Sequence, residues 1–510
     1  MDLIDAALAA AIFLLSAALL RHILTGYRRR TSSPPGPFPL PIIGNLHLLG
    51  PRLHHSFHDL TKKYGPLVQL RLGSASCVVA ATPELAKEFL KTNELVFSAR
   101  KHSTAIDIVT YESSFAFAPY GPYWKFVKKL CTYELLGARN LNHFLPIRKL
   151  EVKTFLEILM QKGKMGESFN VTEELMKLTS NVISHMMLSI RYSGTDGEAE
   201  AARTVIREVT QIFGEFDVAN IIWFCKNFDF QGIRKRSEDI RRRYDALLEK
   251  IITDREKLRR SHGGGGEAKD FLDVFLDVME SGKAEVKFTR EHLKALILDF
   301  FTAGTDTTAI ISEWTIAELI NNPTVLKKAQ TEIDTVVGVD RLLQESDAPN
   351  LPYLNAIIKE TFRLHPPIPM LSRKSTSDCV IGGYTIPADT LLFVNIWSMG
   401  RNPNIWENPT EFQPERFLEK ENAAIDIKGQ DFELLPFGTG RRGCPGMLLA
   451  IQEVTSVIGT MIQCFDWKLP AGDGSDRVDM TERPGLTAPR AEDLVCCVVP
   501  RVDALDVSSL

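Results

Sequence analysis

Phe437-Gly438-Thr439-Gly440-Arg441-Arg442-Gly443-Cys444-Pro445-Gly446 is the stretch on which the reading of this chain turns. A helical pattern begins at Met447, just after the cysteine, and runs to about Met461. A cysteine at the start of a helix has its thiolate stabilised by the positive end of that helix. Glycines beside it let backbone N–H groups approach the sulfur, which tunes any metal bound there. The segment also contains Gly438-x-Gly440-x-x-Gly443, the spacing of a dinucleotide-binding turn, with Asp466 near the acidic position downstream. That reading fails on context. Pro436 spoils the strand that should lead in, and no βαβ array surrounds the motif.

The chain has eight cysteines, at 77, 131, 225, 379, 444, 464, 496 and 497. None forms a C-x-x-C pair, which removes a zinc ribbon, and their density is too low for a disulfide scaffold. Reduced thiols on a cytosolic face are expected, with most of them small core residues. A net charge of -4 over 510 residues excludes the basic balance of a nucleic-acid binder.

Outward from the cysteine loop, Thr289 to Asn322 reads as one helix ended by Pro323, about 50 Å long at about 1.5 Å per residue. Its centre is Ala303-Gly304-Thr305-Asp306-Thr307-Thr308, and polar groups in so apolar a stretch are costly unless paired. A threonine there can simply bond back to its own helix and bend it. Glu360 and Arg363 fall at i,i+3 on one helical face. Trp124 and Lys128 fall four apart.

Elsewhere, Val68 to Ala80 reads as a strand pair turning at Gly73-Ser74, and Thr82-Pro83-Glu84 opens a helix. The stretch from about 125 to 330 is helical in pattern. Arg234 to Arg260 is expected to be a solvated helix laced by i,i+4 pairs. Ser261 to Gly266 is expected to be a surface loop, and Val380 to Val394 short strands.

The N-terminus carries an apolar run from Ala6 to Leu20, then Arg28, Arg29 and Arg30. The acidic Asp2 and Asp5 before the run and the basic cluster after it are wrong for a cleaved signal. They suit an uncleaved anchor with the body in the cytosol. Residues 1–30 are therefore expected to be a membrane anchor with its basic flank. Residues 31–45, dense in proline, are expected to be a stiff hinge, and 46–510 one large catalytic domain.

The ten-residue cysteine loop resembles the haem-binding signature of the cytochrome P450 superfamily, and matches extend as far as Pro484-Gly485-Leu486-Thr487. The resemblance implies a mainly α fold with small β-sheets, holding haem b with Cys444 as the axial ligand. A thiolate on haem iron favours cleavage of the O–O bond. Arg442 and Arg373 would pair with haem propionates. Trp124 and Lys128 would do so as well, although the family has arginine where Lys128 stands, and lysine cannot make the planar fork. Ala303 and Gly304 would make room for dioxygen, and Asp306 and Thr307 would deliver protons. Glu360, Arg363 and Arg416 would form a buried cluster that holds the cysteine loop in place.

No flavin or nicotinamide site is evident in the sequence. The resemblance implies electrons from NADPH through a separate flavoprotein, the cytochrome P450 reductase, and Lys129 and Arg441 are expected to help form a basic docking face. The anchor and hinge resemble those of plant microsomal members, which implies the endoplasmic reticulum membrane. Phe300 to Ile311 and Glu360 to Arg373 look most like a flavonoid-modifying group that includes flavone synthase type II, flavanone 2-hydroxylase and isoflavone synthase. Isoflavone synthases tend to carry serine in place of Thr307 and lysine in place of Ser372, so the chain is most similar to flavone synthase type II. Its substrate would be a flavanone such as naringenin, desaturated or hydroxylated at carbon 2. Phe115, Phe117, Ala303, Ile368, Leu371 and Leu486 would wall the pocket. The alternatives are another plant specialised-metabolite hydroxylase and, from other classes, a haem-thiolate lyase or isomerase, or a haem sensor. The intact Asp306-Thr307 pair argues against these last.

Overall fold

Strands are numbered along the chain: β1 Leu67–Leu72, β2 Ala75–Ala80, β3 Phe169–Asn170, β4 Met370–Lys374, β5 Cys379–Ile381, β6 Tyr384–Ile386, β7 Leu391–Asn395, β8 Phe465–Lys468 and β9 Val495–Pro500. The longer helices are α1 Leu53–Tyr64, α2 Pro122–Leu130, α3 Leu145–Met165, α4 Val171–Leu188, α5 Gly197–Gly214, α6 Ile233–Ser261, α7 Phe271–Ser281, α8 Arg290–Asn321, α9 Pro323–Val336, α10 Pro352–Leu364 and α11 Met447–Cys464. They belong to a computed structural model that describes residues 13, 16, 33–191, 197–215, 217–222, 225, 228–261, 270–282, 285–470 and 477–501. Apart from residues 13, 16 and 261, the expected anchor and the expected Ser261–Gly266 loop lie outside the described residues.

The chain divides into two compact units. One takes the chain up to Lys101, Val218–Phe228 and Met370–Ser398. The other takes His102–Asp217, Asp229–Pro369 and the chain from Met399.

In the first unit, β1 and β2 form the expected hairpin, antiparallel from Leu67 opposite Ala80 to Leu72 opposite Ala75. Gly73 makes the turn at φ +59, where a Cβ would lie 2.5 Å from Ile221 Cγ2. The sheet order is β1-β2-β7-β4, with β2 and β7 parallel, and β5 and β6 form a separate ribbon. Phe57 and Leu60 of α1 close a small core over Val68, Leu70, Cys77 and Val79. The proline-rich segment is bonded to this sheet: Gln69 N donates to Pro35 O at 2.9 Å, and Arg71 N to Asn45 Oδ1 at 2.7 Å.

The second unit is mostly helix, with one three-stranded sheet in the order β3-β9-β8. α8 starts where Thr289 and His292 cap each other's backbone N–H groups in a reciprocal capping box. Pro323 ends it and also opens α9 from that helix's first turn. α11 is apolar and 18 residues long, but most of it is buried as core.

α6 departs from expectation. It has an i,i+4 pair, Arg243 with Asp239, yet its charges chiefly join neighbouring helices. Arg243 meets Glu208, Arg255 meets Asp270 and Asp273, Arg259 meets Asp273 and Asp277, and Glu249 and Glu256 meet Arg290. Sequence periodicity reads only one helix at a time and cannot register such cross-helix pairs.

Candidate haem-thiolate site

Cys444 N donates to Phe437 O at 2.9 Å and closes the loop that Gly438 and Gly440 turn at φ +65 and +66. Those angles are the reason for two of its glycines. Of the eight cysteines, Cys444 is the exposed one. Burial pushes the thiols of Cys131, Cys464 and Cys496 up to about 12, which keeps them protonated. Cys444 stands just before the N-terminus of α11, where backbone N–H groups favour a thiolate.

Two cations flank this loop. The Arg442 guanidinium lies 4.8 Å over the Trp124 ring, and its Nη2 donates to Ala118 O at 2.5 Å. Lys128 Nζ donates to Gly443 O at 3.2 Å, so the lysine head engages the cysteine loop itself. Burial lowers the pKa of that ammonium. Trp124 is buried and stacks on Phe115 with ring centroids 5.7 Å apart. The two residues named for a docking face are engaged as well. Lys129 pairs with Glu285 at 3.2 Å, both exposed, and Arg441 donates to the Tyr120 hydroxyl at 2.8 Å.

α8 supplies the second element. Thr307 Oγ1 donates to Ala303 O at 2.7 Å, the back-bond its position in a helix allows. Asp306 Oδ2 accepts from Thr487 Oγ1 at 2.9 Å. Burial raises the Asp306 carboxyl's pKa, opposed by that hydrogen bond and by Arg207 and Arg483. Ala303 is exposed although most of its helix is buried. Gly304 also has a packing task. A Cβ there would lie 2.6 Å from Ile183 Cδ1, so the glycine lets α4 cross α8 closely.

The Pro484–Thr487 turn is fixed by its neighbours. Trp314 Nε1 donates to Ala488 O at 2.9 Å, and Ala488 N to Pro367 O at 2.9 Å. Leu486 is exposed beside the end of α5, where a Cβ on Gly214 would meet Leu486 N at 2.6 Å. Phe117 packs edge-to-face on Phe213 of α5 at 6.1 Å. The end of α5 therefore brings Phe117 and Leu486 to one place, whereas Phe115 is buried against Trp124 instead. Ile368 is half-buried, next to Pro367. Leu371 and Arg373 belong to the first unit, both buried on β4, and Arg373 Nη1 donates to Ser372 O at 2.8 Å.

The expected Arg–Glu–Arg cluster is present. Glu360 and Arg363 are fully buried and paired twice, at 2.7 and 2.8 Å, and Arg416 Nε reaches Glu360 Oε1 at 3.0 Å. Arg363 also donates to the carbonyls of Gly400, Pro409 and Glu411, so α10 is tied to the loop that leads to Arg416. Each charge is hydrogen-bonded, as burial requires.

Sequence reasoning gave no role to Asp299, Thr487 or Glu453. Asp299 accepts from the loop before α2. Glu453, on α11, is buried, and burial pushes its carboxyl up to about 8.

An exposed cysteine at a helix start, flanked by an arginine and a lysine, suits an iron porphyrin with its two carboxylates. The comparisons agree. The family model for cytochrome P450 matches residues 34–497. Cytochrome P450 93B2 of Gerbera hybrida is 61% identical over 93% of this chain and 93% of its own length. A 2-hydroxyisoflavanone synthase of Glycyrrhiza echinata is 45% identical over 97% of this chain and 98% of its own. A zebra fish cytochrome P450 solved with progesterone, 28% identical, superposes with a TM-score of 0.76 over 88% of this chain and 99% of its own.

The chain belongs to the cytochrome P450 family. It is a monooxygenase with a haem-thiolate cofactor, and its electrons come from a reductase.

Proposed function

We propose that the chain is a flavone synthase of type II, taking a flavanone such as naringenin to its flavone. The observation that carries this reading is Thr307 together with Ser372. Isoflavone-forming members tend to carry serine and lysine at these positions. Cys444 would hold the iron, and Arg442, Trp124 and Lys128 would hold the propionates. The bound haem supplies the activation of dioxygen. Asp306 and Thr307 move protons toward the face of α8 that carries Ala303. Phe117, Ile368 and Leu486 would exclude water around the flavanone. Residues 1–30 anchor the chain in the endoplasmic reticulum membrane through the 31–45 hinge, with the 46–510 catalytic domain on the cytosolic side. NADPH feeds it through the flavoprotein reductase.

A second reading, hydroxylation at carbon 2 with the hydroxyl retained, is favoured by the identity to 2-hydroxyisoflavanone synthases. Microsomes holding the chain and a plant reductase, fed naringenin and NADPH, distinguish the two by mass spectrometry. Apigenin is expected. A 2-hydroxyflavanone or an isoflavone skeleton would replace the first reading with the second, and no product from any flavanone would sink both.

A further inference from the structure

We propose that Trp314 is a positioning residue. Its indole N–H fixes the turn from Arg483 to Pro489, so that Thr487 meets Asp306 and Leu486 stands at the end of α5.

The turn is closed at its base, where Arg483 N donates to Pro489 O at 2.9 Å. Both backbone groups of Ala488 are then used outside the turn. Its carbonyl accepts from Trp314 Nε1 at 2.9 Å, and its N–H donates to Pro367 O at 2.9 Å. Ala488 is buried, so water cannot stand in for either bond. The residue before it, Thr487, donates to Asp306 Oδ2 at 2.9 Å. Trp314 thus holds the neighbour of the residue that reaches Asp306. Thr307 and Trp314 stand at i,i+7 on α8, about two turns apart, so one face of the helix carries both the threonine and the tether.

The indole is itself held. Trp314 is fully buried, and its ring stacks on His365 with centroids 4.0 Å and planes 8° apart. His365 Nε2 lies 2.7 Å from Glu318 Oε1, and Glu318 Oε2 accepts from Asn322 Nδ2 at 3.1 Å. An indole has one donor and no acceptor, so the whole polar capacity of Trp314 goes to Ala488 O. A phenylalanine would fill most of the same space but could not donate to that carbonyl. His365 also leads into Pro366-Pro367-Ile368. The same tryptophan therefore braces the segment that carries Ile368 and the turn that carries Leu486.

Asp306 reports on the tether. Thr487, Arg207 of α5 and Arg483 of the turn all favour its ionised form against burial. Thr487 and Arg483 both ride on the turn, so releasing the turn shifts Asp306 toward its neutral form.

The inference rests on the flavanone reading only for the choice of substrate. The test uses full-length holoprotein in microsomes with a plant reductase, as wild type, Trp314→Phe, Thr487→Val and the double variant. The carbon-monoxide difference spectrum sets equal haem-thiolate content. Naringenin turnover against pH, the Kd of imidazole (small) and of 4-phenylimidazole (bulky), and Tm are then measured.

Trp314→Phe is expected to move the acidic limb of turnover up by about half a unit, in the direction of the larger shift from Thr487→Val. The double variant falls short of the sum, because both changes act through one turn. The Kd for 4-phenylimidazole rises about fivefold in Trp314→Phe, the scale of one lost hydrogen bond, and that for imidazole stays as in wild type. A lower Tm with an unmoved limb and unchanged 4-phenylimidazole affinity marks a merely structural tryptophan and overturns the proposal. Fully additive limb shifts overturn it as well. If Trp314→Phe does not hold haem, Trp314→Met, which also lacks the N–H and adapts to the space, decides by the same criteria. If wild type makes no product from naringenin, the flavanone reading fails while 4-phenylimidazole still reads the turn.

Discussion

Thr487 Oγ1 donates to Asp306 Oδ2 at 2.9 Å, across 181 residues of chain. Burial pushes the Asp306 carboxyl above the usual carboxylate range, and the Thr487 bond pulls it back toward ionisation.

Removing that bond with Thr487→Val leaves burial unopposed by it, so Asp306 stays protonated to higher pH. The acidic limb of the turnover profile is expected to move up by about one unit, since a hydrogen bond to a charged group is worth about 1.5 kcal/mol or more. Product formation measured against pH, at equal haem content, checks this. An unmoved limb would separate Thr487 from the proton path.

Glu453 makes stability depend on pH. Its folded-state pKa of about 8 lies far above the unfolded value of about 4.3. Between those values the folded chain keeps a proton that the unfolded chain has released. The contribution is full below the unfolded pKa and declines by about 1.4 kcal/mol per unit as pH rises toward the folded one. Glu453→Gln is expected to flatten the dependence of Tm on pH between 5 and 8 (roughly the interval between the two pKa values) and to raise Tm at its upper end. Parallel curves for the two proteins would contradict this.

Gly304→Ala places a Cβ against Ile183 Cδ1. Overpacking of this kind costs about 1–3 kcal/mol. Ile183→Val deletes Cδ1, the nearer of two clashing atoms, and leaves Cγ1 at 2.9 Å, so the double variant is expected to recover part of that loss. Strictly additive destabilisation in a denaturant titration would show that the two side chains do not meet.

Lys128→Met removes the ammonium bonded to Gly443 O, one residue from Cys444. The cysteine loop should then loosen by about 1.5–3 kcal/mol, the range for a bond made by a charged donor. The thiolate form in the carbon-monoxide spectrum is expected to decay faster on warming, and Lys128→Arg to restore part of its lifetime. An unchanged decay rate for Lys128→Met would remove the lysine from this role.

Where function rests on a local pattern, the sequence could be read. The cysteine loop announces itself because two of its glycines, Gly438 and Gly440, take positive φ and its cysteine precedes a helix, and both are features of adjacent residues. Glu360 and Arg363 share a helical face by spacing alone. Thr307's back-bond to Ala303 was one of two open readings of a helical threonine. What escaped depends on distant partners: Asp299 meets Ser114 across 185 residues, and Lys128 meets Gly443 across 315. Gly304 escaped for a related reason. An opening for a ligand and a close helix crossing both call for a small residue, and only the position of Ile183 reveals the crossing.

The carbon-monoxide difference spectrum of Cys444→Ala, set beside those of wild type and Cys131→Ala, tests the central claim most directly. Wild type and Cys131→Ala are expected to give the thiolate-haem spectrum, and Cys444→Ala to give none. A thiolate-haem spectrum in Cys444→Ala would mean that another residue holds the iron and that the assigned site is wrong.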